Sequence, residues 1–166
     1  MSHDALMLEM AERLGQALLR HRLRLATAES CTGGGLANAI TAIPGSSQWF
    51  ERGFITYSNE AKLEMLSVPH EMLASHGAVS EPTAASMAIG VLVHTPADVA
   101  ASITGIAGPD GGTPEKPVGT VCLGWSRRRG RTHTAKVLFE GDRTRIREQA
   151  ILTAMQGLLD MLGGSD

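Results

Sequence analysis

Short apolar segments alternate along this chain with longer amphipathic ones, and this alternation limits the possible folds more than any other feature. An amphipathic pattern over residues 4–21 is followed by the apolar run Leu25–Ala28, and a similar order recurs further along the chain. Apolar residues three and four apart form one face of a helix, whereas short apolar runs bounded by turn residues are typical of buried strands. Helices that alternate with strands favour a sheet covered on both faces. We therefore expect a three-layer α/β/α sandwich with a mixed, mostly parallel sheet.

Turn and capping residues divide the chain into a small set of expected elements. Strands are expected at 23–28, 49–57 and 98–104, with a hairpin made of 118–125 and 132–139. Helices are expected at 4–21, 32–43, 58–66 and 69–77, from Ser80 onward, and after a capping Asp142. Residues 105–117 are rich in glycine and proline and are expected to form a long loop, of a kind that is often functional. No repeat or linker interrupts this order, so a single domain is expected over residues 1–166.

Composition and charge narrow the function classes. With 43% hydrophobic residues, 19% charged residues and a net charge of −2, the chain resembles a globular protein with no bias toward nucleic acid. The arginines of 127–131 are interpreted as a solvated hairpin tip, with phosphate or nucleic-acid contact as the alternative. The two cysteines, Cys31 and Cys122, lack the spacing of a metal site or a disulfide framework. Because the sequence has no signal-peptide pattern and no run near the ~18 apolar residues of a membrane span, we expect a cytoplasmic protein. Neither a membrane nor a nucleic acid is expected as a partner.

The segment LATAESCTGG, residues 25–34, joins an expected strand to an expected helix through Ser30 and a run of glycines. Ligands of open α/β sheets bind at the carboxyl ends of strands, and free amides at a helix N-terminus can stabilise an oxyanion. A dinucleotide-binding fingerprint is not completed, because its third glycine position holds Asn38. A Ser-His-Asp hydrolase is not favoured either, since the chain has no G-x-S-x-G elbow. A serine nucleophile with another kind of base remains as the catalytic hypothesis.

Lys62 is the best candidate for that base. The six histidines lie mostly in expected helix ends or surface segments, and His70 and His76 are spaced so that they face different sides of a helix. No metal site is therefore expected. A lysine desolvated to a lower pKa is the remaining common base for a serine nucleophile. Lys62 lies in the first turns of a helix directly after a strand, and Tyr57 ends that strand, where it could relay or orient a proton.

Each of these residues also has a purely structural interpretation. Ser30 is placed where serine commonly caps a helix. Lys62 could be an ordinary surface lysine paired with Glu60 or Glu64. Cys31 could be a small core residue, or a thiol whose pKa a helix N-terminus lowers. The residues alone leave these alternatives open.

Five blocks of the sequence together resemble the CinA C-terminal domain family. They are AESCTGG, PGSSQWFERGFITYSNEAK, GAVSEPTA, SITGIAGPDGGTPEKPVGTV and FEGDR, in the family's order over roughly residues 5–162. The family's enzymatic members are nicotinamide-nucleotide amidases, also called NMN deamidases. The resemblance thus implies hydrolysis of the carboxamide of nicotinamide mononucleotide to nicotinate mononucleotide and ammonia. It also implies a three-layer α/β fold, a homodimer, no cofactor and no required metal. In many bacteria this domain follows a larger N-terminal domain, and the chain resembles the stand-alone form.

The matching motifs also carry over residue roles. The resemblance implies that Ser30 is the nucleophile and that Tyr57 and Lys62 form its activating pair. Ser47, in the motif PGSS, is a further site candidate and the rival nucleophile.

The expected substrate contacts lie in the same motifs. They are Thr32, Gly33, Ser47, Thr104, Gly108 and Arg143. Amides near Gly33 and Gly34 are expected to bind the oxyanion. Arg143 and the loop 108–112 suit a 5′-phosphate through charge pairing and exposed amides, although this loop could equally be a structural connection.

Two other functions stay open at this point. A non-catalytic nucleotide-binding or regulatory module would keep the pocket without turnover. An amidase acting on another small amide would keep the chemistry with a different substrate.

Overall fold

A five-stranded sheet forms the centre of the protein in the computed structural model, which describes residues 2–163. The strands are β1 (Leu25–Glu29), β2 (Phe50–Ile55), β3 (Val99–Gly105), β4 (Thr120–Arg127) and β5 (Thr132–Leu138). The helices are α1 (His3–His21), α2 (Gly35–Thr41), α3 (Asn59–Leu66), α4 (His70–His76), α5 (Glu81–His94) and α6 (Arg143–Gly163). A single 3₁₀ turn, Ser46–Gln48, precedes β2. None of the helices within the described residues is long and apolar enough to cross a membrane.

The strand order is β2-β1-β3-β4-β5. The pairs β1–β2 and β1–β3 are parallel, whereas β3–β4 and β4–β5 are antiparallel. Four of the five strands therefore point in the same direction, and only β4 runs against them. The expected mixed, mostly parallel sheet is confirmed, as is the expected hairpin.

Side chains that alternate along the central strands supply two separate hydrophobic cores. Leu25 and Val99 face a core formed with α1, α2 and α6, while Ala26 and Ala100 face a second core formed with α3, α4 and α5. Successive residues of a strand point to opposite faces of a sheet, so a fully apolar strand is buried on both sides. The three-layer arrangement follows from this pattern.

One close approach between helices holds α3 against α5. A Cβ added to Gly90 of α5 would lie 2.1 Å from the backbone oxygen of Leu66, the last residue of α3. Only glycine fits at this crossing. The contact matters for the site because α3 also carries Lys62.

Two expectations for the chain differ from the structure. Helix α2 begins at Gly35 rather than Thr32, because Gly33 and Gly34 adopt positive φ angles of 57° and 100° and extend the preceding turn. The arginine-rich hairpin tip is present but is not merely solvated. The Arg128 guanidinium donates to the carbonyl oxygens of Ala97 at 2.9 Å, Leu92 at 2.6 Å and Thr95 at 2.8 Å. It thereby satisfies carbonyl groups at and beyond the end of α5.

Candidate active site

A cavity of about 260 Å³ opens where β1 and β3 end. Ser30 directly follows β1, and its backbone N–H donates to the Ile103 oxygen of β3 at 2.9 Å, so the serine is fixed to the sheet. Six of the residues expected in a site line this cavity: Ser30, Tyr57, Lys62, Thr104, Gly108 and Arg143. Polar groups from four separate parts of the chain thus converge on one concave surface.

Lys62 is buried, with 1% of its surface exposed, and its ammonium group faces Ser30. The Nζ atom lies 3.0 Å from Ser30 Oγ, 2.9 Å from the Thr56 carbonyl oxygen and 3.2 Å from the Tyr57 carbonyl oxygen. Burial lowers the pKa of Lys62, because the charged form loses more hydration than the neutral one. The interpretation of Lys62 as a surface lysine is therefore wrong.

The neighbouring strands β1 and β2 bring Lys62 to Ser30. The two strands are parallel, and the Thr56 N–H donates to the backbone carbonyl oxygen of Glu29 at 2.8 Å, which aligns the carboxyl ends of the strands. Helix α3 then begins at once, because the Ser58 hydroxyl accepts from the Ala61 N–H at 3.0 Å and caps it. The first turn of α3 therefore lies above the end of β2, beside Ser30.

Hydrogen bonds between its own backbone groups close the turn that follows Ser30. The Gly33 N–H donates to the backbone carbonyl oxygen of Ser30 at 3.1 Å, so this expected oxyanion donor is already engaged. Among the described residues, no backbone or side-chain oxygen accepts a hydrogen bond from the amides of Cys31, Thr32 and Gly34. These amides, rather than that of Gly33, are the free donors of the turn.

Glu29 is a buried carboxylate that the sequence analysis did not single out. It is 1% exposed and accepts hydrogen bonds from the Thr32 hydroxyl at 2.7 Å and from the amides of Leu36 at 2.8 Å and Ala37 at 3.1 Å. It caps the first turn of α2 and occupies amides that a ligand could otherwise use. A carboxylate just before a helix N-terminus was the available signal.

The mouth of the cavity is formed by Arg143 and Tyr57. The Arg143 guanidinium donates to the Gly108 oxygen at 2.7 Å and to the Tyr57 hydroxyl at 3.3 Å. The Tyr57 side chain is 61% exposed, and the contact of this residue with Lys62 is made by its backbone carbonyl. The phenol makes no hydrogen bond to Lys62 or Ser30, so the activating pair of Tyr57 and Lys62 expected for Ser30 stays a prediction. Asp110, a carboxylate that the sequence analysis also missed, lies on the same rim.

The opposite wall is built from β3 and the segment before α5. Thr104 is 1% exposed, and its hydroxyl donates to the Ala78 oxygen at 2.8 Å. Ala78 and Val79 line the cavity beside it. Thr104 thus fixes the wall of the site, as expected of a residue that lines it.

Three expected contacts lie elsewhere. Ser47 is exposed on the 3₁₀ turn that precedes β2, and so lies at the amino edge of the sheet. Because β1 has five residues and a strand rises about 3.3 Å per residue, roughly 17 Å of strand separates the two edges. Thr32 is fully buried, with its hydroxyl on Glu29, and neither Thr32 nor Gly33 lines the cavity. The Thr32 side chain and the Gly33 backbone instead hold the turn together, through Glu29 and the Ser30 carbonyl oxygen.

Cys31 lines the cavity but is not an activated thiol. Burial raises its pKa to about 11, against weaker opposing effects of its own backbone amide and of the Arg147 charge. The alternative of a thiol with a lowered pKa is therefore wrong. Within residues 2–163, no group of three or more His, Cys, Asp or Glu side chains is placed to hold a metal ion.

The model of the CinA C-terminal domain family matches residues 7–162. The chain belongs to this family. It is 54% identical over 155 residues to the nicotinamide-nucleotide amidohydrolase PncC of Escherichia coli (strain K12), covering 93% of this chain and 94% of that protein. A CinA-like protein of Akkermansia muciniphila is 52% identical over 86% of this chain, which corresponds to 34% of that longer protein. The crystal structure of the competence/damage inducible protein CihA from Agrobacterium tumefaciens has a TM-score of 0.92 and 43% identity, with 96% of each chain covered.

Proposed function

We propose that this protein is a nicotinamide-nucleotide amidohydrolase that works through an acyl-enzyme on Ser30. The observation that carries the proposal is the buried contact of 3.0 Å between Lys62 Nζ and Ser30 Oγ at the carboxyl end of β1. The name of the E. coli relative, which is 54% identical over 155 residues, supports the substrate. The reaction converts the carboxamide of nicotinamide mononucleotide to the carboxylate and releases ammonia.

The surroundings of Lys62 suit a general base. A neutral amine has two N–H donors and one lone pair, and Nζ has three neighbours: the carbonyls of Thr56 and Tyr57, and Ser30 Oγ. Because a carbonyl oxygen can only accept, the two N–H groups are directed to Thr56 and Tyr57. The lone pair is then left for the Ser30 hydroxyl proton, once the hydroxyl turns from the Tyr57 carbonyl oxygen, to which it donates at 3.4 Å. Burial assists by lowering the pKa of Lys62, which raises the neutral fraction at a given pH.

The chemistry proceeds in two halves. Ser30 Oγ bonds to the carboxamide carbon as its proton passes to Lys62, and the carbonyl oxygen becomes an oxyanion. The carbon–nitrogen bond then breaks, and the leaving nitrogen takes the proton from the Lys62 ammonium and departs as ammonia. A water molecule attacks the resulting ester, with Lys62 again accepting and returning the proton. Nicotinate mononucleotide is released and the Ser30 hydroxyl is restored.

The oxyanion is proposed to bind the free amides of the turn. Cys31 directly follows the nucleophile and lines the cavity, and its amide and that of Thr32 have no oxygen acceptor among the described residues. Removing one donor of an oxyanion site typically costs ~10²- to 10³-fold in rate. This role replaces the one expected for Gly33.

Substrate is proposed to enter past Arg143. Two of the five guanidinium N–H groups are used by Gly108 and Tyr57, so three remain for a 5′-phosphate. The exposed Tyr57 ring offers a flat surface to the pyridine ring at the same mouth. Thr104 and Gly108 complete the walls.

The remaining proposals rest on the resemblance to the family. We propose that residues 1–166 act as one domain, as a homodimer in the cytoplasm, without a cofactor, membrane or nucleic-acid partner. The match of one family model to residues 7–162 supports the single domain.

The test is ammonia release from nicotinamide mononucleotide by wild type, Ser30→Ala and Ser47→Ala. We expect Ser30→Ala to lose activity while remaining folded, and Ser47→Ala to keep it, because Ser47 lies at the far edge of the sheet. Full activity in a folded Ser30→Ala variant would show that Ser30 is not the nucleophile. If the wild type binds the nucleotide without releasing ammonia, the result favours a non-catalytic binding module. If a substrate panel shows a preference for another amide, the result favours an amidase with a different substrate.

A further inference from the structure

Arg147 of α6 contacts the turn that follows Ser30 (residues 31–34). Its Nε donates to the Cys31 carbonyl oxygen and one terminal nitrogen donates to the Thr32 carbonyl oxygen, both at 3.1 Å. The side chain is half-buried and lies one helical turn after Arg143, on the same face of α6. A planar guanidinium is suited to holding two acceptors at once in a fixed geometry.

The hydrogen bond to the Cys31 carbonyl oxygen decides which side of the Cys31–Thr32 peptide faces the reacting atoms. In a trans peptide the C=O and the following N–H point in opposite directions. With the Cys31 carbonyl turned to Arg147, the Thr32 N–H points away from α6, and it has no acceptor within residues 2–163. A carbonyl oxygen turned toward the oxyanion would repel it, so the orientation of this peptide matters to the reaction.

The turn has a second anchor that does not replace this one. Glu29 holds the Thr32 hydroxyl at 2.7 Å, but it makes no contact with the carbonyls of Cys31 and Thr32. Glycine at 33 and 34 leaves the turn free to adopt other backbone angles. The Thr32 carbonyl oxygen also accepts from the Gly35 N–H at 2.9 Å, so the Cys31–Thr32 peptide is the plane that depends on Arg147.

We propose that Arg147 is a positioning residue, which orients the Cys31–Thr32 peptide so that the Thr32 amide receives the oxyanion. It does not touch the substrate. The proposal rests on the proposed function for its mechanism, but not on the identity of the amide that is hydrolysed.

The test compares Arg147→Met with Arg147→Lys and with the matched control Arg128→Met. Arg128 makes the same kind of guanidinium–carbonyl contacts at the end of α5, away from the cavity. With nicotinamide mononucleotide we expect Arg147→Met to lower kcat by about 10- to 100-fold, below the full loss of a donor, with KM changed less than about twofold. Arg147→Lys keeps the charge but loses the planar fork, so we expect a smaller fall of at least about threefold. Arg128→Met is expected to lower the melting temperature without changing kcat.

A second readout separates this proposal from the substrate assignment. A fluorophosphonate probe labels a nucleophilic serine and places its phosphonyl oxygen where the oxyanion would lie, and mass spectrometry measures the rate at Ser30. We expect slower labelling of Arg147→Met than of Arg128→Met. If wild type is labelled but does not hydrolyse the nucleotide, the proposed function fails and slower labelling of the variant still supports Arg147.

Several results would overturn the role of Arg147. One is a folded Arg147→Met with the kcat and labelling rate of Arg128→Met. Another, which decides the matter if the methionine variant does not fold, is a folded Arg147→Lys with wild-type kcat. Absence of Ser30 labelling in the wild type would also refute it, because no oxyanion would then form at this turn.

Discussion

The protonation of Lys62 gives a prediction with two independent readouts. Because burial lowers the pKa of Lys62, the neutral form that can act as a base accumulates below the ordinary lysine value of about 10.4. We expect kcat/KM to rise by up to tenfold per pH unit on the acid side of this pKa and to level off above it. Lys62→Met should abolish the rise and lower kcat by about 10²- to 10⁴-fold, the usual contribution of a general base.

The same group predicts that stability also rises with pH. The pKa of Lys62 is lower in the folded than in the unfolded protein, so the unfolded state binds more protons between the two values. The free energy of unfolding therefore rises with pH in this window, by at most about 1.4 kcal/mol per pH unit, and the burial cost is fully present below it. Methionine fills a similar volume without a charge, so Lys62→Met should be as stable as wild type at neutral pH, or more stable.

The measurements are initial rates of ammonia release and thermal unfolding, both followed from about pH 6 to pH 10. Lys136→Met is the control, since Lys136 is exposed on β5 at the far edge of the sheet. It should retain the wild-type rate profile. A wild-type kcat/KM that is flat over this range, or an active Lys62→Met, would show that Lys62 is not the base.

Two further predictions concern residues next to Ser30 and Lys62. Tyr57→Phe should keep kcat within about threefold, because the backbone carbonyl that contacts Lys62 at 3.2 Å is retained; KM should rise as Arg143 loses its bond of 3.3 Å to the hydroxyl. A loss of kcat comparable to that of Lys62→Met in steady-state assays would instead restore the phenol as a catalytic group. Glu29→Gln should lower the free energy of unfolding by about 1–3 kcal/mol, since its amide cannot accept from both the Leu36 and Ala37 amides that the carboxylate oxygens bind. Urea unfolding alongside the exposed control Glu64→Gln measures this, and equal stability of the two variants would contradict it.

The sequence supported the hypothesis that Ser30 and Lys62 meet, but did not decide it against a surface lysine. Each follows a strand, and neighbouring parallel strands end at the same edge of a sheet. The position of Ser47 could have been predicted in the same way, because it precedes β2 rather than following it. The PGSS motif drew attention to this serine, but a residue before a parallel strand lies at the opposite edge.

Other parts of the site depend on contacts between distant residues. The burial of Lys62 requires α3 to approach α5 at Gly90, and nothing in the pattern NEAKLEML of α3 indicates a buried lysine. Arg147 has the sequence context of an ordinary surface arginine, yet its acceptors lie 116 and 115 residues away. Such partners are determined by how helices pack on the sheet, which local periodicity does not specify.

The topology explains why these contacts gather at Ser30. The connection from β1 to β2 passes through α2 on one face, whereas the connection from β2 to β3 passes through α3, α4 and α5 on the other face and crosses β1. From β1 the chain continues to β2, and from β3 it continues to β4, in the opposite direction across the sheet. A crevice opens between the carboxyl ends of two such neighbouring strands. Ser30 lies in that crevice, with α3 supplying Lys62 from one layer and α6 supplying Arg147 from the other. A base and an oxyanion site on opposite sides of a nucleophile are what acyl transfer requires, since the proton and the developing negative charge must go to different places.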